Sequence, residues 1–185
     1  SLSNSIVELT QPTDPANISD GVGVQVDDNS IFDSSFNIYS GNTLMGVQAL
    51  SGSMSLSNDE VSNSLSTGIW AEGTASLSIN DTVVTDNGVY GVIMMGSGAL
   101  EASNLTISVN PDISPSYPID EWQDNGFGSM GLFGNTTSIS LNNVDISGYN
   151  NCGANLQTDP ANESSLFVDG LSIHDVGRKG LYLYG

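Results

Sequence analysis

The sequence predicts an all-β fold, a parallel solenoid of about seven coils that are each 22–23 residues long. A glycine followed by an apolar–x–apolar triplet recurs seven times, and four of the six spacings between these glycines are 22 or 23 residues. A second pattern, two short alternating stretches around one turn residue, recurs at the same period. Because one such coil cannot bury its inner face alone, the repeats must stack on each other.

Each glycine-led triplet predicts a short strand with one buried face, since side chains alternate between the two faces of a strand. The glycines are Gly23, Gly46, Gly68, Gly91, Gly131, Gly153 and Gly180. The middle residue of each triplet points outward, so stacking aligns these residues in one column on one sheet. The column is Gln25, Gln48, Trp70, Ile93, Phe133, Asn155 and Tyr182. Its aromatic members Trp70, Phe133 and Tyr182 are candidate ligand-binding residues, suited to stacking on a sugar or docking a partner.

The second repeat reads apolar–x–apolar–x–turn–apolar–x–apolar and predicts two further short strands in each coil. A weaker copy over residues 31–38 places Ser35 at the turn position, and Gly170 occupies it in the last coil. Asn, Asp and Gly at one fixed position indicate a backbone site with left-handed dihedral angles. The clearest copies have Asn58, Asp81, Asn104 and Asn143 at this position.

With three short strands and one such bend per coil, the chain resembles the right-handed parallel β-helix family, the pectate-lyase-like solenoids. The resemblance covers residues 21–185 and implies a ladder of stacked side chains inside the bend. Residues 1–20 are expected to form a partial coil or a cap. The last residues have the pattern of a strand and the first residue is not Met, so we expect a fragment of a longer chain. The implied ladder consists of Asn58, Asp81, Asn104 and Asn143, with Ser35 and Gly170 as departures.

One coil carries an insertion, because the spacing between Gly91 and Gly131 is 40 residues. The insertion covers residues 109–127 and contains three prolines, which predict an extended loop. Its residues Tyr117 and Trp122 are candidate ligand contacts. The apolar side of the loop either covers the outward column or forms a groove with it.

The same loop carries the densest cluster of carboxylates in the sequence. Ca²⁺ takes six to eight hard oxygen ligands, which a loop can supply from side chains and backbone together. No EF-hand spacing is present, so Ca²⁺ is a hypothesis here and the sequence establishes no cofactor. The candidate metal ligands are Asp112, Asp120, Glu121 and Asp124.

Charge excludes two classes of partner. The chain has 21 Asp and Glu against 2 Lys and Arg, for a formal net charge of −19. Nucleic-acid binding and attraction to anionic membranes both require clustered cations, which Arg178 and Lys179 alone do not supply. No segment approaches the roughly 20 apolar residues that span a bilayer.

The sequence assigns no catalytic residue. The outward column holds no Asp, Glu, Lys, Arg or His, whereas lyases and hydrolases of the resembled fold need such groups. An enzyme would have to use the insertion carboxylates or the group formed by His174, Asp175 and Arg178.

These observations predict a structural or adhesive segment of a secreted or cell-surface protein that binds a polysaccharide or surface glycan. A carbohydrate-active enzyme (a polysaccharide lyase or glycoside hydrolase) and a repeat scaffold without a ligand remain as alternatives. Open strand edges at the ends of a solenoid invite pairing, so end-to-end self-association is also expected.

Overall fold

The computed structural model describes residues 1–11, 21–110, 130–158 and 164–184. These ranges contain β-strands and no helix, and so no helix long and apolar enough to cross a membrane. The strands are β1 Leu2–Ser3, β2 Ile6–Glu8, β3 Val22–Val26, β4 Ile31–Ser35, β5 Ile38–Ser40, β6 Met45–Ala49, β7 Ser53–Ser57, β8 Glu60–Ser62, β9 Thr67–Ala71, β10 Ser76–Asn80, β11 Val83–Thr85, β12 Tyr90–Ser108, β13 Met130–Ser147, β14 Cys152–Gln157, β15 Ser165–His174 and β16 Lys179–Tyr184.

The strands stack in three parallel sheets that run along the solenoid. The glycine-led sheet contains β3, β6, β9, the first part of β12, the first part of β13, β14 and β16. The second sheet runs from β1 through β4, β7 and β10 into β12, β13 and β15. The third runs from β2 through β5, β8 and β11 into the later parts of β12, β13 and β15.

The predicted all-β parallel solenoid is therefore confirmed. The described residues form six complete coils, with β1 and β2 as a partial coil before them and β16 after them. The sequence predicted about seven coils, and the difference lies in the partial coils at the two ends.

In-register pairing places the inward side chains of successive coils directly above one another. Val47, Ile69, Val92 and Leu132 follow each other along the glycine-led sheet, and each is 0% exposed. The same holds on the other two sheets, where Leu56 and Val61 are 0% exposed. Burial of these columns removes apolar surface from water along the whole rod, which is the main favourable term for a fold of this kind.

The bend between the second and third sheets has a left-handed residue in each coil. The φ angles are 55° at Asn58, 47° at Asp81, 49° at Asn104 and 53° at Asn143. Asn104 Nδ2 donates to Asp81 Oδ1 at 2.9 Å, and Asn143 Nδ2 donates to Asn104 Oδ1 at 2.8 Å. All four side chains are exposed, which corrects the expectation of a ladder inside the bend. The reason is that the residue that follows each left-handed position turns inward instead.

That following position forms a buried polar ladder in the first half of the rod. Asp59 Oδ1 accepts from the Asn37 backbone N–H at 2.7 Å, and Asp59 Oδ2 accepts from the Ser57 backbone N–H at 3.0 Å. Thr82 occupies the same place in the next coil and is 1% exposed. In the second half of the rod the position becomes apolar, with Leu105 and then Val144.

The placement of Ser35 at the left-handed position is wrong. Ser35 pairs with Ser57, and Phe36 is the left-handed residue of that coil, with φ 57°. Ile31 is accordingly 76% exposed, because it lies on the outer face. The apolar outer residues Ile31 and Ile38 imitate the inward pattern, and a shift of one residue in a strand exchanges its two faces.

The inward columns make a testable prediction about stability. Leu100 is fully buried, whereas the next residue along the strand, Glu101, is exposed. Leu100→Ala should lower the free energy of unfolding by about 2–5 kcal/mol through lost burial and a residual cavity. Urea denaturation followed by circular dichroism measures the change. The matched control Glu101→Ala should change it by no more than about 0.5 kcal/mol, and equal effects of the two substitutions would contradict the assignment of faces.

The left-handed bend makes a second prediction. Asn143→Gly should leave stability nearly unchanged, whereas Asn143→Val should lower it by about 1–2 kcal/mol, because a β-branched side chain is strained at positive φ. The same urea titration compares the two variants. A valine variant as stable as the glycine variant would argue against a left-handed residue at position 143.

Candidate functional site

The predicted outward column is continuous in the structure. Register pairs join Gln25 to Gln48, Gln48 to Trp70, and Trp70 to Ile93. Further along, Ile93 pairs with Phe133, which is followed by Asn155 and Tyr182. Neighbouring strands lie ~4.8 Å apart, so the column presents one side chain per coil at a regular interval.

The middle of the column is not open to solvent. Ile93 and Phe133 are 3% and 5% exposed, although both point away from the coil interior. They form a second hydrophobic cluster with Met130 and Cys152, which are 1% and 3% exposed. Trp70, Tyr90 and Met95 pack at its margin. Phe133 is therefore a packing residue in this arrangement, and the accessible aromatic surface lies to either side of it.

Trp70 borders this cluster on the side nearer the amino terminus. Its side chain is half-buried, and its indole Nε1 is buried without a hydrogen-bond partner. The neighbouring coils place the half-buried Gln48 and then the exposed Gln25 beside it in the same column. An unsatisfied buried donor costs about 1–3 kcal/mol, so an oxygen atom from outside the chain would be stabilised at this position.

Tyr182 forms a separate aromatic surface at the other end of the column. It is 39% exposed, and the Lys179 Nζ lies 4.7 Å from the centroid of its ring. Asn155 stands between Tyr182 and Phe133. The three aromatic residues that the sequence singled out therefore share a column but do not form one contiguous strip.

The candidates in the insertion lie outside the described residues. Those residues are the aromatic Tyr117 and Trp122 and the carboxylates Asp112, Asp120, Glu121 and Asp124. Among the residues that the structure does describe, no group of three or more His, Cys, Asp or Glu side chains is arranged to hold a metal ion. The calcium hypothesis therefore stays a prediction that concerns the insertion alone.

The second sheet carries a polar groove that the sequence analysis did not identify. Its outward column runs in register from Asp33 through Ser55 and Ser78 to Glu101. The groove has a volume of about 290 Å³. Its carboxylates are three strand spacings apart, roughly 14 Å, which exceeds the 5–9.5 Å between the acids of a glycoside hydrolase. The repeated Ser-x-Ser pattern in β7 and β10 was the signal for this surface.

His174 contacts two carboxylates on the last coils. Its Nδ1 is 2.8 Å from Asp175 Oδ2, and its Nε2 is 3.4 Å from Asp145 Oδ1. The hydrogen bond to Asp175, with a smaller contribution from Asp145, raises the pKa of the imidazole above its usual value. Among the described residues Arg178 forms no ion pair, and His174 is exposed, so no enclosed catalytic group is assembled there.

A pH titration tests this contact. His174 is the single histidine of the chain, so its NMR signal is unambiguous. Its midpoint should lie above about 6.5, and Asp175→Asn should move it down. Because the folded pKa is raised, the stabilising contribution is complete below the unfolded pKa and is lost as pH rises through the folded pKa. A midpoint that is unchanged in Asp175→Asn would contradict the hydrogen bond.

Comparison with known proteins agrees with the fold. A family model described as the right-handed beta helix region matches residues 2–127, which is more than half of the chain. Searches of curated proteins and of solved structures returned no match. With the three parallel sheets, the left-handed bends and this match together, the chain belongs to the right-handed β-helix family.

Proposed function

We propose that the chain is a structural or adhesive β-helix segment of a secreted or cell-surface protein, and that it binds a glycan on the outer face of its glycine-led sheet beside Trp70. The observation that carries the proposal is the buried, unpartnered indole N–H of Trp70. It lies next to the amide side chains of the same outward column.

Sugars match this combination of groups. A pyranose has apolar C–H faces that stack on an aromatic ring, and hydroxyl groups that accept from an N–H donor or exchange hydrogen bonds with an amide. Trp70 supplies the ring and the donor, and Gln48 and Gln25 supply amides on the adjacent coils. Binding sites typically combine apolar surface with a few such placed polar groups.

Charge narrows the class of glycan. The chain has a formal net charge of −19, and the amide residues Gln25 and Gln48 are neutral. A polyanionic polysaccharide would be repelled by this field, whereas an uncharged one would not. We therefore favour a neutral glycan as the ligand.

The extracellular assignment rests on composition. A chain with 2 Lys and Arg and one cysteine has a surface almost without cations, and its self-repulsion is screened by salt. This composition suits a protein that works outside the cell in a saline setting.

The test is binding to a panel of neutral and anionic polysaccharides. The unmodified chain should bind at least one neutral polysaccharide, and Trp70→Ala should weaken that binding by tenfold or more. Trp70→Phe keeps the ring and removes the donor, so it should retain part of the affinity. The matched control Phe167→Ala removes a 58% exposed aromatic residue from the other sheet and should have no effect.

Circular dichroism establishes that each variant is folded. No binding to any polysaccharide would leave a scaffold without a ligand and would overturn the proposal. Binding that survives Trp70→Ala but is lost in Ser78→Trp would assign the ligand to the polar groove. Release of shortened oligosaccharides would assign the chain to the carbohydrate-active enzymes.

A further inference from the structure

The inner face of the last coil is open. Leu181 and Leu183 point into the solenoid but are 44% and 54% exposed. The residues directly below them, Ala154 and Leu156, are 0% and 1% exposed. The second sheet shows the same contrast, since Val168 is 38% exposed. Inward apolar residues and a free strand edge together form a surface that another coil could cover.

The first coil has the complementary surface. Val24 is half-buried, whereas its partner Val47 in the next coil is 0% exposed. Val7 is also half-buried, and its partner Tyr39 is 0% exposed. The edges formed by β1, β2 and β3 are therefore the other open end of the rod.

The two ends match in backbone geometry. The bend between the second and third sheets has its left-handed residue at Asn4 in the first coil, with φ 51°, and at Gly170 in the last coil, with φ 66°. The next bend follows five residues later in both, at Leu9 and Asp175, with φ 56° and 54°. If the register of the rod continued from one copy to another, Val168 would lie beside Leu2, Ile173 beside Val7 and Leu181 beside Val24.

Charge favours contact between unlike ends. The first coil, as far as the structure describes it, carries Glu8, Asp27 and Asp28 and no Lys or Arg. Residues 164–184 carry both cations of the chain, Arg178 and Lys179, against Asp169 and Asp175, so their formal charge is zero. Two first coils would repel each other, whereas a first coil on a last coil does not bring like charges together.

We propose that the carboxyl-terminal coil of one copy stacks on the amino-terminal coil of a second copy, extending all three parallel sheets in register. The contact is heterologous, because each copy uses two different surfaces. Such a contact does not close on itself, so it produces open rods rather than dimers. It covers the exposed inner residues and pairs the free strand edges, which are otherwise prone to non-specific pairing.

Sedimentation velocity on the 185-residue chain tests the proposal. The mean mass should increase with protein concentration, and electron microscopy of the largest species should show unbranched rods one solenoid wide. A single monomeric species at every concentration would overturn the proposal.

Two blocking variants distinguish this contact from any other. Leu183→Lys places a charge on the inner face of the last coil, and Val7→Lys does so on the first coil. Each variant alone should be reduced to short species, and a mixture of the two should form a heterodimer that does not grow. The heterodimer is specific to head-to-tail stacking, because each variant keeps one functional end.

Controls keep the result interpretable. Val83→Lys adds the same charge at a 42% exposed outward position in the middle of the rod and should associate like the unmodified chain. Ile38→Lys alters the exposed apolar surface at the side of the first coils. Association that is lost in Ile38→Lys and kept in Leu183→Lys would show lateral contact and overturn the proposal. Circular dichroism spectra that match the unmodified chain are required of every variant.

Discussion

The structure depends on the in-register stacking of one coil on the next. A coil of three short strands has no core of its own, and its inward residues become buried when the coils on both sides cover them. The two ends of this rod show the dependence directly, since Leu156 is 1% exposed and Leu183, one coil later in the same column, is 54% exposed. The left-handed bends maintain the stacking, because they return the chain to the same three sheets at a constant length. The hydrogen bonds from Asn143 to Asn104 and from Asn104 to Asp81 then join successive bends along the outside.

The sequence predicted this architecture because its two repeats report backbone periodicity, which does not depend on distant contacts. It placed the left-handed residues correctly wherever Asn or Asp occupied them, as at Asn58 and Asn104. It failed in the first complete coil, where Phe36 is left-handed and apolar residues such as Ile31 lie outside. Alternation alone cannot identify which face is inner when both faces carry apolar residues. The buried polar ladder of Asn37, Asp59 and Thr82 was missed for a related reason, since polar residue types do not indicate burial until the register is known.

The candidate site followed the same limits. The period predicted that Trp70, Ile93 and Phe133 would share an outward column, and the register places them in one line. The burial of Ile93 and Phe133 could not be predicted, because it depends on packing outside the solenoid. The unpartnered indole N–H of Trp70 also depends on its particular neighbours. The polar groove was visible only as repeated serines, and its shape required the alignment of four coils. The outer surface is thus divided into an apolar cluster, an aromatic and amide margin, and a hydroxyl-rich face.

The most direct test of the account is the distance between coils, measured by pulsed electron–electron resonance between spin labels in a Cys152→Ala background. Asp33, Ser55, Ser78, Glu101, Ser140 and Phe167 follow each other in one outward column. Labels at Asp33 and Ser140 span four strand spacings, roughly 19 Å, and labels at Asp33 and Phe167 span five, roughly 24 Å. The account predicts two narrow distributions whose centres differ by one strand spacing. Broad distributions, or centres that do not increase by that step, would contradict the in-register stacking on which the rest of the structure depends.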